Sequence, residues 1–252
     1  MTRVLPSQLL AASALAMSLL AACRGGSKTN PTPAAAAGGT IAMPARDSAR
    51  EEPAPPQLIF DGQTLAGWHG FKTPGRIPAG WRAMDAEIVR VGSGDHLVTD
   101  RTYANFELTL EWQVAENGNS GIFYRVDPTA NAIEQSGPEM QVLDDGGHPD
   151  GESRLTAAGA LYGLYPAPPG IVRQPGYWNS VRLLVNGAHV EHWLNGVKVV
   201  EYELWSPEWE AKVKASKFAA WPGYGRAQRG YIGLQDHGDR VAYRNIRIRE
   251  LP

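Results

Sequence analysis

The chain has 252 residues, 24 basic against 26 acidic side chains for a formal charge of −2, 43% hydrophobic residues and one cysteine. That length fits one or two domains, and the apolar share is enough for a sizeable core, so wholesale disorder is excluded. The near-neutral balance argues against nucleic acid held by phosphate neutralisation, and a lone cysteine excludes an internal disulfide framework or a multi-thiolate zinc site.

At the N-terminus, Arg3 gives a positive start and Leu9 to Ala22 forms an apolar run of 14 residues. That is too short to cross a hydrocarbon core of about 30 Å as a helix, so 1–22 reads as a signal segment. It ends in Leu20-Ala21-Ala22-Cys23, which resembles the lipobox of bacterial lipoproteins. The resemblance implies cleavage before Cys23 and lipidation of its sulfur. With Arg and not Asp at position 24, it also implies anchorage to the bacterial outer membrane, facing the periplasm or the cell surface. Each buried methylene of an acyl chain adds about 0.8 kcal/mol, so two or three chains attach durably. Residues 23–56 carry six prolines and no aromatic residue. They read as a disordered, lipid-anchored tether, which leaves 57–252 as the folded domain.

Period-two alternation then dominates. In Phe106 to Gln113 every second residue is apolar, which predicts a strand with Glu107, Thr109, Glu111 and Gln113 on its wet face. Val181 to Asn186, His189 to Leu194 and Val197 to Val200 predict a three-strand meander. The pairs Asn186-Gly187 and Asn195-Gly196 are expected to supply the positive φ angles of its hairpins. One helix is expected from the Ser206 cap through Pro207 to about Phe218, with Trp209 and Val213 sharing a face. Gly230 to Gln235 and Val241 to Arg249 complete the strands. Many short strands at about ten-residue spacing predict an all-β sandwich of two antiparallel sheets.

Several segments lie in one order: Leu58-Ile59-Phe60-Asp61-Gly62, Leu65-Ala66-Gly67-Trp68, Tyr103 to Leu108, Asn119 to Arg125, Gly137 to Asp145, His192-Trp193-Leu194-Asn195-Gly196 and Gly233 to Gly238. This series resembles the 3-keto-disaccharide hydrolase domain family, also known as DUF1080. The resemblance implies a concanavalin A-like jelly roll and action on 3-keto-glycosides, whose small carbohydrate substrates are already oxidised at C3. The chain shows no nicotinamide-binding fingerprint, so a separate sugar 3-dehydrogenase is the expected pathway partner. A C3 ketone acidifies the C2 hydrogen, and elimination of the C1 group through an enolate, followed by hydration, needs a base, an acid and something to polarise the ketone.

Glu139 and Gln141 are the leading candidates, since polar residues share one face of a strand there; the competing reading is a solvated outer sheet face. Glu139-Met140-Gln141-Val142-Leu143-Asp144 superficially resembles the Glu-x-Asp-x-x-Glu signature of family-16 glycoside hydrolases. Gln141 replaces the middle carboxylate, which disfavours an ordinary retaining mechanism. Gln235 and His237, two apart, project to one side near a strand end, and an imidazole suits proton transfer. Arg125 could polarise a ketone oxygen or form a surface ion pair. Glu111 belongs to the polar row of its strand. His192 sits in an apolar row, where a buried, satisfied histidine is as good a reading as an active one. Trp193, on the opposite row, is the best sugar platform. His148 lies in a Gly- and Asp-rich loop as a lid or a ligand. With Asp144, Asp145, Asp150 and Glu152 it could hold a divalent metal ion. A lipid-tethered carbohydrate-binding module without turnover is the alternative to an enzyme.

Overall fold

The computed structural model describes residues 55–252. The signal segment, Cys23 and the tether up to residue 54 lie outside the described residues. In chain order the strands are β1 (Gln57–Leu58), β2 (Trp68–Gly70), β3 (Trp81–Met84), β4 (Glu87–Arg90), β5 (Leu97–Thr99), β6 (Phe106–Val114) and β7 (Asn119–Val126). They continue as β8 (Glu139–Leu143), β9 (Asn179–Asn186), β10 (His189–Leu194), β11 (Val197–Glu203), β12 (Tyr231–Leu234) and β13 (Val241–Glu250). Two antiparallel sheets result. The larger runs β11-β10-β9-β6-β13-β4-β3, with β1 also paired to β13, and the smaller runs β2-β5-β12-β7-β8. This is the sandwich of two antiparallel sheets expected from the alternation, and it agrees with the jelly roll that the family resemblance implies.

The pattern of β6 shows why the layers form. Its nine residues alternate between buried and half-buried without a break. The inward set Phe106, Leu108, Leu110 and Trp112 joins Ile122, Tyr124, Met140 and Val142 of the smaller sheet in one core. Each such side chain contributes roughly 1.5–3 kcal/mol on burial. The smaller sheet differs, for every residue of β7 and β8 is buried. Its second face is covered in part by a small cluster of Phe71, Val98, Phe123, Val126 and Ile133. A polar hollow occupies other ground on that face.

Two local expectations need correction. The turn between β9 and β10 is Gly187-Ala188, with Gly187 at φ +61°, and Asn186 stays in its strand. Asn186 pairs with His189 across this two-residue turn, and Asn105 Oδ1 accepts the Gly187 N–H at 2.9 Å. The turn at Asn195-Gly196 has both residues at positive φ, as expected. The helix α1 spans Pro207–Lys214, capped by Ser206, whose side chain accepts the Trp209 N–H at 3.2 Å. It stops short of Phe218 because Ser216 accepts the Phe218 N–H and opens a separate 3₁₀ turn, Lys217–Ala220.

β8 ends the smaller sheet, but its outer side is not bare. Gly159 N–H donates to Gln141 O at 2.8 Å, Gln141 N–H to Ala160 O at 3.1 Å and Tyr162 N–H to Glu139 O at 3.1 Å. The irregular segment 159–162 thus seals the strand that carries the leading candidate residues.

Candidate functional site

Register brings the polar residues together. Gly121 pairs with Gln141 and Phe123 with Glu139, and Gln235 N–H donates to Gly121 O at 3.0 Å. Paired residues share a face, so Glu139, Gln141 and Gln235 point to the same side of the sheet. A Cβ at position 121 would overlap the Glu139 carboxyl, so only glycine leaves it room. Around these side chains lies a cavity of about 110 Å³, completed by Asn119, Glu134, Asp150, Tyr162, Lys217 and His237.

The cavity concentrates unsatisfied polarity. Glu139 Oε1, both terminal atoms of the Gln141 amide and Gln235 Oε1 are buried without a hydrogen-bond partner. Glu139 is 8% exposed and Gln141 1%, so neither is the solvated outer-face residue of the competing reading. Each unsatisfied buried group costs about 1–3 kcal/mol, and such clusters in a concave place mark a ligand site. Burial pushes the Glu139 carboxyl up to about 8. The Lys217 ammonium pulls against this, and the Glu134 and Asp150 carboxylates reinforce it. At neutral pH, Glu139 therefore carries its proton.

The loop after β12 places His237. The buried Arg90 guanidinium pairs through Nε with Asp236 and donates through Nη1 to Gly238 O at 2.5 Å. Asp236 N–H donates to His96 Nδ1 at 3.1 Å, and Asn119 N–H donates to Asp239 Oδ2 at 3.1 Å. His237 itself is exposed at the cavity rim, its ring 6.2 Å edge-on from that of His148. His148 Nδ1 accepts the Asp150 N–H at 3.0 Å, so the neutral ring carries hydrogen on Nε2. The Asn119 Nδ2 amide lies 3.3 Å from that nitrogen, two donors facing each other, and a half-turn of the carboxamide would bring the unpartnered Asn119 oxygen to the Nε2 hydrogen.

The opposite wall comes from loops. Tyr162 donates its hydroxyl to Asp150 Oδ2 at 3.4 Å, and burial, reinforced by Asp150 and Glu139, raises its phenol to about 12. The Lys217 ammonium lies 4.3 Å from the centre of the Tyr162 ring. No carboxylate of the described residues lies within ion-pair distance of it. A larger hollow of about 430 Å³ lies between residues 57–67 and 99–103, and none of its lining residues carries an unpartnered buried polar atom.

The structure brings Glu139, Gln141, Gln235 and His237 into one cavity, with His148 behind its rim, and places the remaining candidates elsewhere. Arg125 has φ +48°, which turns its side chain out of the strand's alternation. Its Nε donates to Ala104 O at 3.0 Å and its Nη2 to Asn105 Oδ1 at 3.3 Å, so it is neither at the cavity nor in a surface ion pair. Glu111 accepts from Arg244 Nε and Asn245 Nδ2, both at 2.7 Å, on the outer face of the larger sheet. Trp193 is on that face too. It donates to Glu191 Oε2 at 2.7 Å and is flanked by Arg182 and Lys198, so charged side chains take the place of a sugar. His192 is a core residue. Its Nδ1–H donates to Gly159 O at 3.0 Å and its Nε2 accepts from Tyr124 at 2.9 Å.

The acidic loop does not form an ion cage. Asp144 accepts the Asn117 and Gly146 N–H groups, Asp145 takes Ala158 N–H and Arg154, Asp150 faces the cavity, and Glu152 is exposed. Among the described residues, the convergent donor set is His189, Glu191 and Glu201, on the larger sheet, and Lys198 already occupies its carboxylates. Sequence reasoning missed Asn119, Glu134, Tyr162 and Lys217. Asn119 opens the Asn119 to Arg125 segment and was readable as a polar residue at a strand start, whereas the others reach the cavity only through long-range folding.

The model of the 3-keto-alpha-glucoside-1,2-lyase-like domain family matches residues 55–249. A 3-keto-disaccharide hydrolase of Bacteroides thetaiotaomicron is 36% identical, the match covering 77% of this chain and 77% of the relative. A solved structure of a candidate glycosyl hydrolase from Parabacteroides distasonis superposes with a TM-score of 0.73 at 32% identity, over 78% of this chain and 94% of that one. A second structure from the same organism gives 0.56 at 27% identity, over 73% and 99% respectively.

Proposed function

The chain belongs to the 3-keto-alpha-glucoside-1,2-lyase-like domain family and is a carbohydrate-processing protein, and on that premise we propose that it cleaves 3-keto-glycosides by eliminating the C1 substituent. The observation that carries the reading is Glu139, a buried carboxyl that keeps its proton to about pH 8 beside amides with no partner of their own.

In this reading His237 takes the C2 proton, made acidic by the C3 ketone. The C–H electron pair becomes the enolate, whose oxygen is stabilised by the Lys217 ammonium. The enolate collapses, a C1–C2 double bond forms, and the C1 oxygen leaves with the proton from Glu139. Water then adds at C1 while a proton returns to C2, releasing the free 3-keto sugar. Gln141, Gln235 and Asn119 hold ring hydroxyls. None of these steps needs the paired carboxylates of an ordinary glycosidase. A separate sugar 3-dehydrogenase would supply the ketone. Lipid on Cys23 would hold the domain at the outer membrane, and Cys23→Ser should move the protein to the soluble fraction with its activity intact.

The test is to incubate the soluble domain with a 3-keto-glucoside and with its unoxidised parent. Release of the aglycone from the keto form alone supports elimination, and transient build-up of an enone absorbing in the ultraviolet identifies the intermediate. Equal release from both would mean direct hydrolysis, with Asp150 and Glu134 as further carboxylates. Binding without release would make the protein a carbohydrate-binding module.

A further inference from the structure

A second hollow of about 490 Å³ adjoins the cavity, between the 155–164 loop and the end of α1. The two share Tyr162 and Lys217, so one tyrosine ring with an ammonium 4.3 Å above it forms the partition. Ligand sites for molecules of ordinary size occupy about 300–1,000 Å³. A cavity of about 110 Å³ is below that range and takes only the reacting edge of one sugar ring, so the rest of any glycoside must lie beside it. From this adjacency we propose that the second hollow is the leaving-group subsite, an inference that rests on the glycoside-cleaving reading above.

Its lining defines the leaving group. Leu155, exposed at 41%, together with Leu164 and Phe218, gives the hollow an apolar side. Lys212, which also pairs with Glu208 at 3.7 Å, and Lys217 line it too, and Lys217 is free of carboxylate partners among the described residues. Apolar contact and two ammonium donors fit a ring that carries oxygen acceptors, either a second sugar or an oxygenated aryl group. A methyl aglycone would leave the hollow unused. Tyr162 and Lys217 lie at the junction, where the scissile oxygen must pass from one subsite to the other, so the same ammonium faces both halves of the substrate.

The subsite is tested by calorimetric titration of the soluble domain with unoxidised glycosides, which bind without reacting, so the outcome does not depend on turnover. 4-Hydroxyphenyl α-glucoside and an α-linked disaccharide should bind at least tenfold more tightly than methyl α-glucoside. Ala215→Trp, an exposed position that lines only the second hollow, should abolish that advantage and leave methyl α-glucoside binding unchanged. Leu155→Ser should reduce it about threefold, as a check that does not depend on added bulk. Equal affinities for all three ligands in the wild type, or an advantage that survives Ala215→Trp, would overturn the proposal. Loss of keto-glycoside cleavage in the wild type would instead count against elimination and leave this result standing.

Discussion

The two faces of the smaller sheet each meet a buried polar group, and the two groups are organised in contrary ways. On the inner face Tyr202 donates to the Tyr124 hydroxyl at 2.6 Å, Tyr124 donates to His192 Nε2 at 2.9 Å and His192 donates to Gly159 O at 3.0 Å. Every hydrogen in that chain has a protein acceptor. On the outer face Glu139, Gln141 and Gln235 present atoms with none. A closed polar chain fixes one arrangement of the core, whereas an open one is stable only at the expense of unmet hydrogen bonds, which a ligand can meet. Burial alone therefore does not separate structural from functional polar residues. The convergence of several unpartnered atoms on one cavity is what sets the outer group apart.

The largest way to break this contrast is Glu139→Gln, which keeps shape and burial but removes the transferable proton. Turnover of a 3-keto-glucoside should fall by about 10²–10⁴-fold, and steady-state rates near the wild type would remove Glu139 from proton transfer. The same variant makes a stability prediction. The folded value near 8 lies above the ordinary 4.5, so the native state binds this proton more tightly than the unfolded chain does. The stability it contributes is full below about pH 4.5 and is lost as pH rises through 8. Above pH 8, Glu139→Gln should then be more stable than the wild type by on the order of 3 kcal/mol, read from urea midpoints at pH 5 and pH 9.

His192 should show the opposite slope. Burial lowers it to about 4, with the Gly159 carbonyl only partly offsetting this. Its neutral form contributes stability that is present above about pH 6.5 and lost as pH falls towards 4. His192→Gln should flatten that acid limb by on the order of 2 kcal/mol, and acid unfolding midpoints shared by variant and wild type would contradict it. The smallest effect is Tyr202→Phe, which removes one donor from the closed chain. It should cost about 1 kcal/mol and leave turnover within twofold, whereas a large loss of turnover would mean that the inner face acts on the outer one.

These two faces also show what was readable from sequence. Alternation along Phe106 to Gln113 and the meander after Val181 disclosed the sheets, because period-two burial is a local property of the chain. Glu139, Gln141 and His237 stood out because polar residues at strand positions that suit a core need a reason. Arg125 misled because a positive φ, invisible in its residue type, rotates its side chain out of register. Glu111 misled because its partner Arg244 lies on β13, more than a hundred residues away in sequence. Lys217 went unseen because its relevance depends on where a 3₁₀ turn after α1 docks, and no spacing rule encodes that.

The segment 159–162 has a consequence beyond the site. A strand at the end of a sheet normally offers its free N–H and C=O groups to any other extended chain, and long exposed edges are where proteins begin to aggregate. Here the backbone bonds of Gln141 and Glu139 to Ala160, Gly159 and Tyr162 occupy those groups with irregular chain that cannot serve as a template. The cover that walls the cavity therefore also guards this edge of the smaller sheet against self-association. A substitution that loosens it would be expected to show first as insolubility and only then as lost turnover.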